Sequence, residues 1–294
     1  MKDAGFALIC FFLLSACALQ AQPYSLEPRR EAWIGAAGFA LLAADLGLSS
    51  TLAPLDEQAI AKLDPGAIWS VDRPAVKRFS TSADLRSEFT LAGAGLLAGL
   101  SGFLALEQKP FRNEGLVLGA IWLEANILTL GGTLFLKDAV HRTRPFVYNQ
   151  GLPLGPKLKK NARRSFISGH TSLSAANSFF AARVFCDYFP QSRWKPLVIG
   201  LAAALPVWTG LERYLAGQHF PSDALAGYGL GALCGWLTPR LHLLKKSEEG
   251  TMQILPFSEG SPSGWTSFGE KLLKSCCIFC LSPMSPGKTV SATS

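Results

Sequence analysis

Six apolar segments recur along the chain, at about residues 32–50, 89–106, 115–136, 171–187, 196–211 and 222–244, with turn-forming residues between them. Runs this long exceed what strands use and match helices packed on several sides. The breakers agree: Asp64, Pro65 and Gly66 interrupt the first long connection, and Pro110, Pro145, Pro190 and Pro196 fall near segment ends. The pattern predicts an all-α protein, a helical bundle of about six core helices, and speaks against a sheet-based architecture. Crossing a bilayer takes about 20 mostly apolar residues. Segment 89–106 is free of charge, whereas Asp45 interrupts the first segment and Glu124 the third. Several helices are therefore apolar enough to be transmembrane, and some are expected to pack on protein. With 49% hydrophobic and 17% charged residues, a disordered polyelectrolyte is excluded.

The ends of the chain differ from its middle. Lys2 followed by the apolar run Ala4–Ala18 predicts a signal peptide or N-terminal anchor over residues 1–22, and Leu14-Ser15-Ala16-Cys17 also suits lipidation at Cys17. The chain is thus expected in a bacterial cell envelope. Beyond Lys245 the composition turns to Ser, Gly and Pro, which marks 247–294 as a tail, with a short hairpin expected over Met252–Phe268. The seven cysteines form no evident disulfide framework, and Cys276, Cys277 and Cys280 make a single C-x-x-C with no second pair for a metal.

Charge is concentrated in one place. Between Lys137 and Arg164 there are eight basic residues and one acid, Asp138, an excess equal to the whole chain's +7. A solvated loop, a membrane flank or a nucleic-acid patch would each account for this on charge alone. Three short patterns narrow the choice to an oxyanion.

Lys137 and Arg144 are seven residues apart, which on a helix puts two cations on nearly one face, with Pro145 ending the element. An ammonium and a guanidinium together suit an oxyanion. Next, Ser168, Gly169 and His170 precede an apolar helix, and a helix start with exposed N–H groups is a natural phosphate site. Last come Arg213, His219 and Asp223, with Pro221 and Ser222 marking another helix start. A carboxylate four residues on could take the Nδ1 proton of His219 and leave Nε2 free to attack phosphorus. Each pattern alone also reads as a membrane flank, a helix cap or a surface His–Asp pair. All three in this order are expected by chance on the order of 10⁻⁵ or less.

The set KDAVHRTRP, ISGH and ERYLAGQHFPSD resembles the signatures of the type 2 phosphatidic acid phosphatase superfamily over about residues 85–240, within a domain expected to span 30–246. The resemblance implies that Lys137, Arg144 and Arg213 hold the phosphate oxygens, with Ser168 and the amide of Gly169 completing the cradle. It implies that His219 forms a phosphohistidine, that Asp223 orients it, and that His170 protonates the leaving oxygen and then helps to activate water. It also implies a metal-independent phosphatase without cofactor, acting on a phosphomonoester or pyrophosphate, above all of a lipid, at a membrane, with no nucleic-acid partner. Apart from these residues the chain shows no group of carboxylates or histidines at metal-ligand spacing, and His242, remote from every motif, receives no role.

Two positions depart from the family pattern. Ile167 stands where the family has proline, and Glu212 stands where it has serine, from where it could pair with Arg213 or another cation. His141, four residues after Lys137, could line the same pocket. The same anion site is compatible with a vanadium-dependent haloperoxidase or with a catalytically silent membrane scaffold. Two locations satisfy the pattern: an inner-membrane enzyme with a periplasm-facing site, or a periplasmic and lipid-anchored one. A cleaved leader followed by crossings at the first three segments would put Lys137 in the cytoplasm, so one of those assumptions is expected to fail.

Overall fold

The computed structural model describes residues 23–107, 111–246 and 252–253. Among them are six long helices: α1 Pro28–Thr51, α3 Thr81–Leu106, α4 Phe111–Val140, α6 Gly169–Tyr188, α7 Lys195–Leu215 and α8 Pro221–Leu241. The short helices α2 Glu57–Ala61 and α5 Leu154–Lys157, with four 3₁₀ turns, lie in the connections. Each long helix coincides with one of the apolar segments, in order, the last segment running three residues past the end of α8 at Leu241. The boundaries differ most at α3, which starts at Thr81 because the Ser80 hydroxyl caps it by accepting the Ala83 N–H at 3.2 Å. That extension brings Asp84 and Glu88 onto a helix. The leader over 1–22 and the cysteines of the tail lie outside the described residues. So does most of the expected hairpin; what is described is a two-residue strand, β1 Lys245–Lys246, antiparallel to β2 Met252–Gln253.

Helix α6 is the axis of the bundle, buried along almost its whole length and packed by α3, α4, α7 and α8. Its contact with α8 is backbone against backbone. Gly227, Gly231 and Gly235 form a stripe one turn apart, and a Cβ on them would lie 2.6, 1.9 and 2.1 Å from the carbonyl oxygens of Ser168, Ser172 and Ala176. Small residues at this spacing let helices approach closely, as they do in membranes.

The distribution of side chains also fits a bilayer. Helix α3 buries Ala83, Ser87, Ala94, Ala98, Ser101 and Ala105 and exposes Leu85, Phe89, Leu96, Leu100 and Phe103. Helix α1 exposes Trp33, Phe39 and Leu46. Large apolar groups outside and small ones inside are unfavourable in water and favourable in lipid. Segments Pro28–Thr51, Thr81–Leu106 and Glu114–Tyr148 are long and apolar enough to cross a membrane, with mean hydropathy 1.5, 1.8 and 1.4. The charges that interrupt the first and third of them point into the protein: Asp45 is 3.4 Å from Arg164, and Glu124 is 3.1 Å from His242.

Candidate active site

The C-terminal end of α4, the 141–168 connection, the start of α6, the start of α3 and the α7–α8 turn meet around a cavity of about 370 Å³. Of the eight residues singled out from sequence, Lys137, Arg144, Gly169, His170, Arg213 and His219 line it, and Ser168 and Asp223 do not. Both of these are fully buried behind the wall.

Lys137 and Arg144 converge, but not along one helix face. Helix α4 ends at Val140, His141 takes a positive φ of 52° at its end, and Arg144 sits in extended backbone before the 3₁₀ turn Pro145–Tyr148. His141 thus belongs to the helix-ending bend rather than to the cavity lining. The Lys137 ammonium donates to the Arg164 carbonyl at 3.1 Å. The Arg144 guanidinium is held by the Gln218 side-chain oxygen and by Asn161 Oδ1 at 3.0 Å. Both cations are buried, and among the described residues neither has a carboxylate at ion-pair distance. Among the described residues, the Nε atoms of Arg144 and Arg213 are buried without a hydrogen-bond partner. Buried positive charge facing neutral groups is costly until an anion enters.

Arg213 does have a carboxylate, but not Glu212. Its Nη1 donates to Asp84 at 2.5 Å and to Ser87 at 3.1 Å. Glu212 turns the other way, bridging to Arg86 at 2.9 Å and accepting from Trp208 Nε1 at 3.0 Å. Of the two pairings expected for Glu212, Arg213 or another cation, the structure has the second, because neighbours on a helix face roughly 100° apart.

His219 precedes α8 instead of sharing its face with Asp223. Its Nδ1 lies 2.6 Å from the Ser165 carbonyl and 3.9 Å from Asp223 Oδ2. A carbonyl only accepts, so Nδ1 carries the proton and Nε2 keeps its lone pair. This corrects the direct His219–Asp223 bond expected from the spacing. Asp223 instead organises the loops behind the ring. It accepts from the Ser165 hydroxyl at 2.6 Å, from the Phe220 N–H at 3.0 Å and from Arg142 at 2.5 Å. Arg142 in turn binds Asp72 at 2.7 Å. The turn that presents His219 depends on Gly217, with φ of 69° and a Cβ position 2.2 Å from the Arg78 carbonyl. Burial, followed by the charges of Lys137, Arg144 and Arg213, holds the His219 imidazole well below its ordinary pKa, so the ring is neutral.

His170 faces the cavity from the first turn of α6, with Nε2 2.7 Å from Glu88 Oε1. Its pKa is lowered, by burial first and then by Arg213, against the opposing pull of Glu88 and Asp84. The Ser168 hydroxyl is engaged in capping α6, 2.8 Å from Thr171 Oγ1, while the Ser168 N–H donates to the Asp223 carbonyl at 3.0 Å. Ile167 is buried, and the Phe166–Ile167 peptide is cis.

Sequence reasoning missed Asp84 and Glu88, which precede the apolar run that marked α3. It also missed a group at the other end of the bundle, where Glu31, Glu124 and His242 bring one ligand atom each within 4.8 Å of one another.

Residues 117–247 match the model of the PAP2 superfamily, so over that stretch the chain is similar to that family. Among curated proteins, a lipid A 1-phosphatase of Rhizobium johnstonii is 34% identical over 147 residues, covering 48% of this chain and 55% of that one. A lipid A 4′-phosphatase of Bacteroides thetaiotaomicron is 38% identical over 104 residues, covering 35% and 44%. The chain spans about half the length of the curated relatives it matches. Among solved structures, a transmembrane PAP2 type phosphatidylglycerolphosphate phosphatase from Bacillus subtilis superposes with a TM-score of 0.42 at 21% identity, covering 68% of this chain and 93% of that one.

Proposed function

We propose that the cavity hydrolyses a phosphate ester or pyrophosphate borne by a membrane lipid, through a phosphohistidine on His219 and without a metal ion in the reaction. The observation that carries this reading is the pairing of a neutral imidazole with three buried cations, Lys137, Arg144 and Arg213, around one small cavity. The cations supply the charge neutralisation that phosphoryl transfer needs. His219 Nε2 attacks phosphorus as the bond to the leaving oxygen breaks, and protonated His170 gives that oxygen its proton. Water then attacks the phosphohistidine and passes a proton to the now neutral His170, and phosphate departs with His219 restored. Asp223 acts through the Ser165 loop that holds Nδ1.

A lipid-borne substrate is supported by exposed apolar side chains on the helices that carry cavity residues: Leu85 and Phe89 adjoin Asp84 and Glu88 in the sequence of α3, and Trp208 and Leu211 stand exposed on α7. The curated relatives, which act on lipid A, point to a phosphorylated sugar headgroup. Asp84 and Glu88 at the rim could accept hydroxyl hydrogens from such a sugar.

The test is phosphate release in EDTA from phosphorylated glycolipids, phospholipid phosphates and soluble phosphomonoesters, with His219→Ala and His170→Ala alongside wild type. Loss in both variants, with acid-quenched phosphoenzyme forming in wild type and not in His219→Ala, is the expected result. Full activity in His219→Ala, or dependence on added divalent metal, overturns the reading.

We assign the cavity to the periplasmic face. Because α1 runs from the far end toward the cavity, this requires Pro28 to start on the cytoplasmic side. Labelling of Gly151→Cys, in the exposed loop nearby, by a membrane-impermeant maleimide on intact cells tests it, and protection would move the site to the cytoplasm.

A further inference from the structure

At the end of the bundle away from the cavity, the first turn of α1, the middle of α4 and the C-terminal end of α8 bring Glu31, Glu124 and His242 together. Glu124 is thirteen residues before Lys137 on α4, so the two sites are separated by about 20 Å along that helix. We propose that these three side chains form a binding site for a divalent transition-metal ion of the zinc type, which clamps α1, α4 and α8 together.

The argument is one of unmatched acceptors. His242 is fully buried, and its Nδ1 lies 2.7 Å from the Thr238 carbonyl. That oxygen can only accept, so Nδ1 holds a proton and Nε2 faces the cluster. Nε2 is 2.8 Å from Glu31 Oε2 and 3.1 Å from Glu124 Oε2. A proton on Nε2 is aligned with one carboxylate oxygen, and Glu124 Oε2, buried and 3.1 Å from Nε2, receives no well-aligned hydrogen bond among the described residues. A divalent cation satisfies all three atoms at once and neutralises both carboxylates. Tetrahedral ligands about 2.1 Å from zinc stand about 3.4 Å apart, so the cluster needs to open by only about half an ångström.

The surroundings have the form of a supported coordination shell. The Thr238 carbonyl fixes the imidazole tautomer in the way that backbone carbonyls orient metal-binding histidines. The other oxygen of Glu31 accepts from the Glu27 N–H at 2.7 Å and from Arg30 at 2.9 Å, which aims Oε2 at the ring. One imidazole and two carboxylates suit zinc or manganese, with a fourth position left for water.

The experiment uses the full chain in detergent, purified without a polyhistidine tag, stripped with EDTA and titrated with Zn²⁺ alone. Mass spectrometry is expected to find one zinc per chain, and X-ray absorption on the wild type is expected to show one imidazole among oxygen ligands. Glu124→Gln and His242→Gln are expected to weaken binding at least about tenfold. Failure of the wild type to retain stoichiometric zinc, a spectrum without imidazole, or undiminished binding in both variants overturns the proposal and leaves a proton-sharing ion cluster. Phosphate release, scored separately in EDTA, tests the catalytic reading and is expected to be unaffected by removal of the zinc.

Discussion

The Nδ1 atom of His219 lies 2.6 Å from the carbonyl oxygen of Ser165, while the Ser165 hydroxyl donates to Asp223 at the same distance. The carboxylate therefore reaches the ring through the loop that orients it. Asp223→Asn should cost about 3 kcal/mol of stability, because a buried acceptor of three donors, including Arg142, is replaced by an amide that cannot serve them all. Denaturation of the detergent-solubilised protein measures this. A change well under 1 kcal/mol would show that Asp223 does not organise the loop.

The pH dependence follows from His170. Its pKa lies below the ordinary histidine value, so raising the pH removes the proton it must give to the leaving oxygen. The alkaline limb of kcat/KM should therefore fall below about pH 6.5, dropping tenfold per unit beyond it. The Glu88 bond and charge raise that pKa, so Glu88→Gln should move the limb further toward acid. A limb that stays in place would separate Glu88 from the proton-donating step.

The glycine stripe of α8 gives a sharper contrast. Gly231→Ala puts a methyl group 1.9 Å from the Ser172 carbonyl and should destabilise the protein by about 2 kcal/mol or more, with loss of activity as α6 shifts. Gly229→Ala, on the open face of the same helix, meets nothing within 4 Å and should be neutral or slightly stabilising. Thermal unfolding of the two variants side by side decides it, and equal effects would refute the close-packing argument.

Glu212→Ser frees Arg86 and Trp208 but leaves Arg213 on Asp84. Inhibition by inorganic phosphate should change less than about twofold, because a partly exposed ion pair contributes only about 0.2–1 kcal/mol and does not touch the cradle. A tenfold change in the inhibition constant would mean that the residue acts on Arg213 after all.

The six helices and the order of the three motifs were legible because both are local. Apolar segments announce helices, and Ser168 before Gly169 or Pro221 with Ser222 announces a helix start. What spacing misjudged was the geometry across breaks. Lys137 and Arg144 were read along a helix that ends at Val140, and His219 and Asp223 along one that begins only at Pro221. What it could not reach were partnerships through space. Asp84 with Arg213 and Glu31 with His242 are separated by 129 and 211 residues. Neither pairing has a period, and the acids involved look in sequence like ordinary charged ends of apolar helices.

Because α6 and α8 touch main chain to main chain, the gap between the two candidate imidazoles is fixed by backbone radius instead of by how side chains settle. His170 opens one helix and His219 immediately precedes the other, so they behave like the jaws of a calliper locked at one setting. Variation in what the cavity accepts must then come from the walls around that setting, such as the acids of α3 and the amides of Asn161 and Gln218, which can change without moving the jaws.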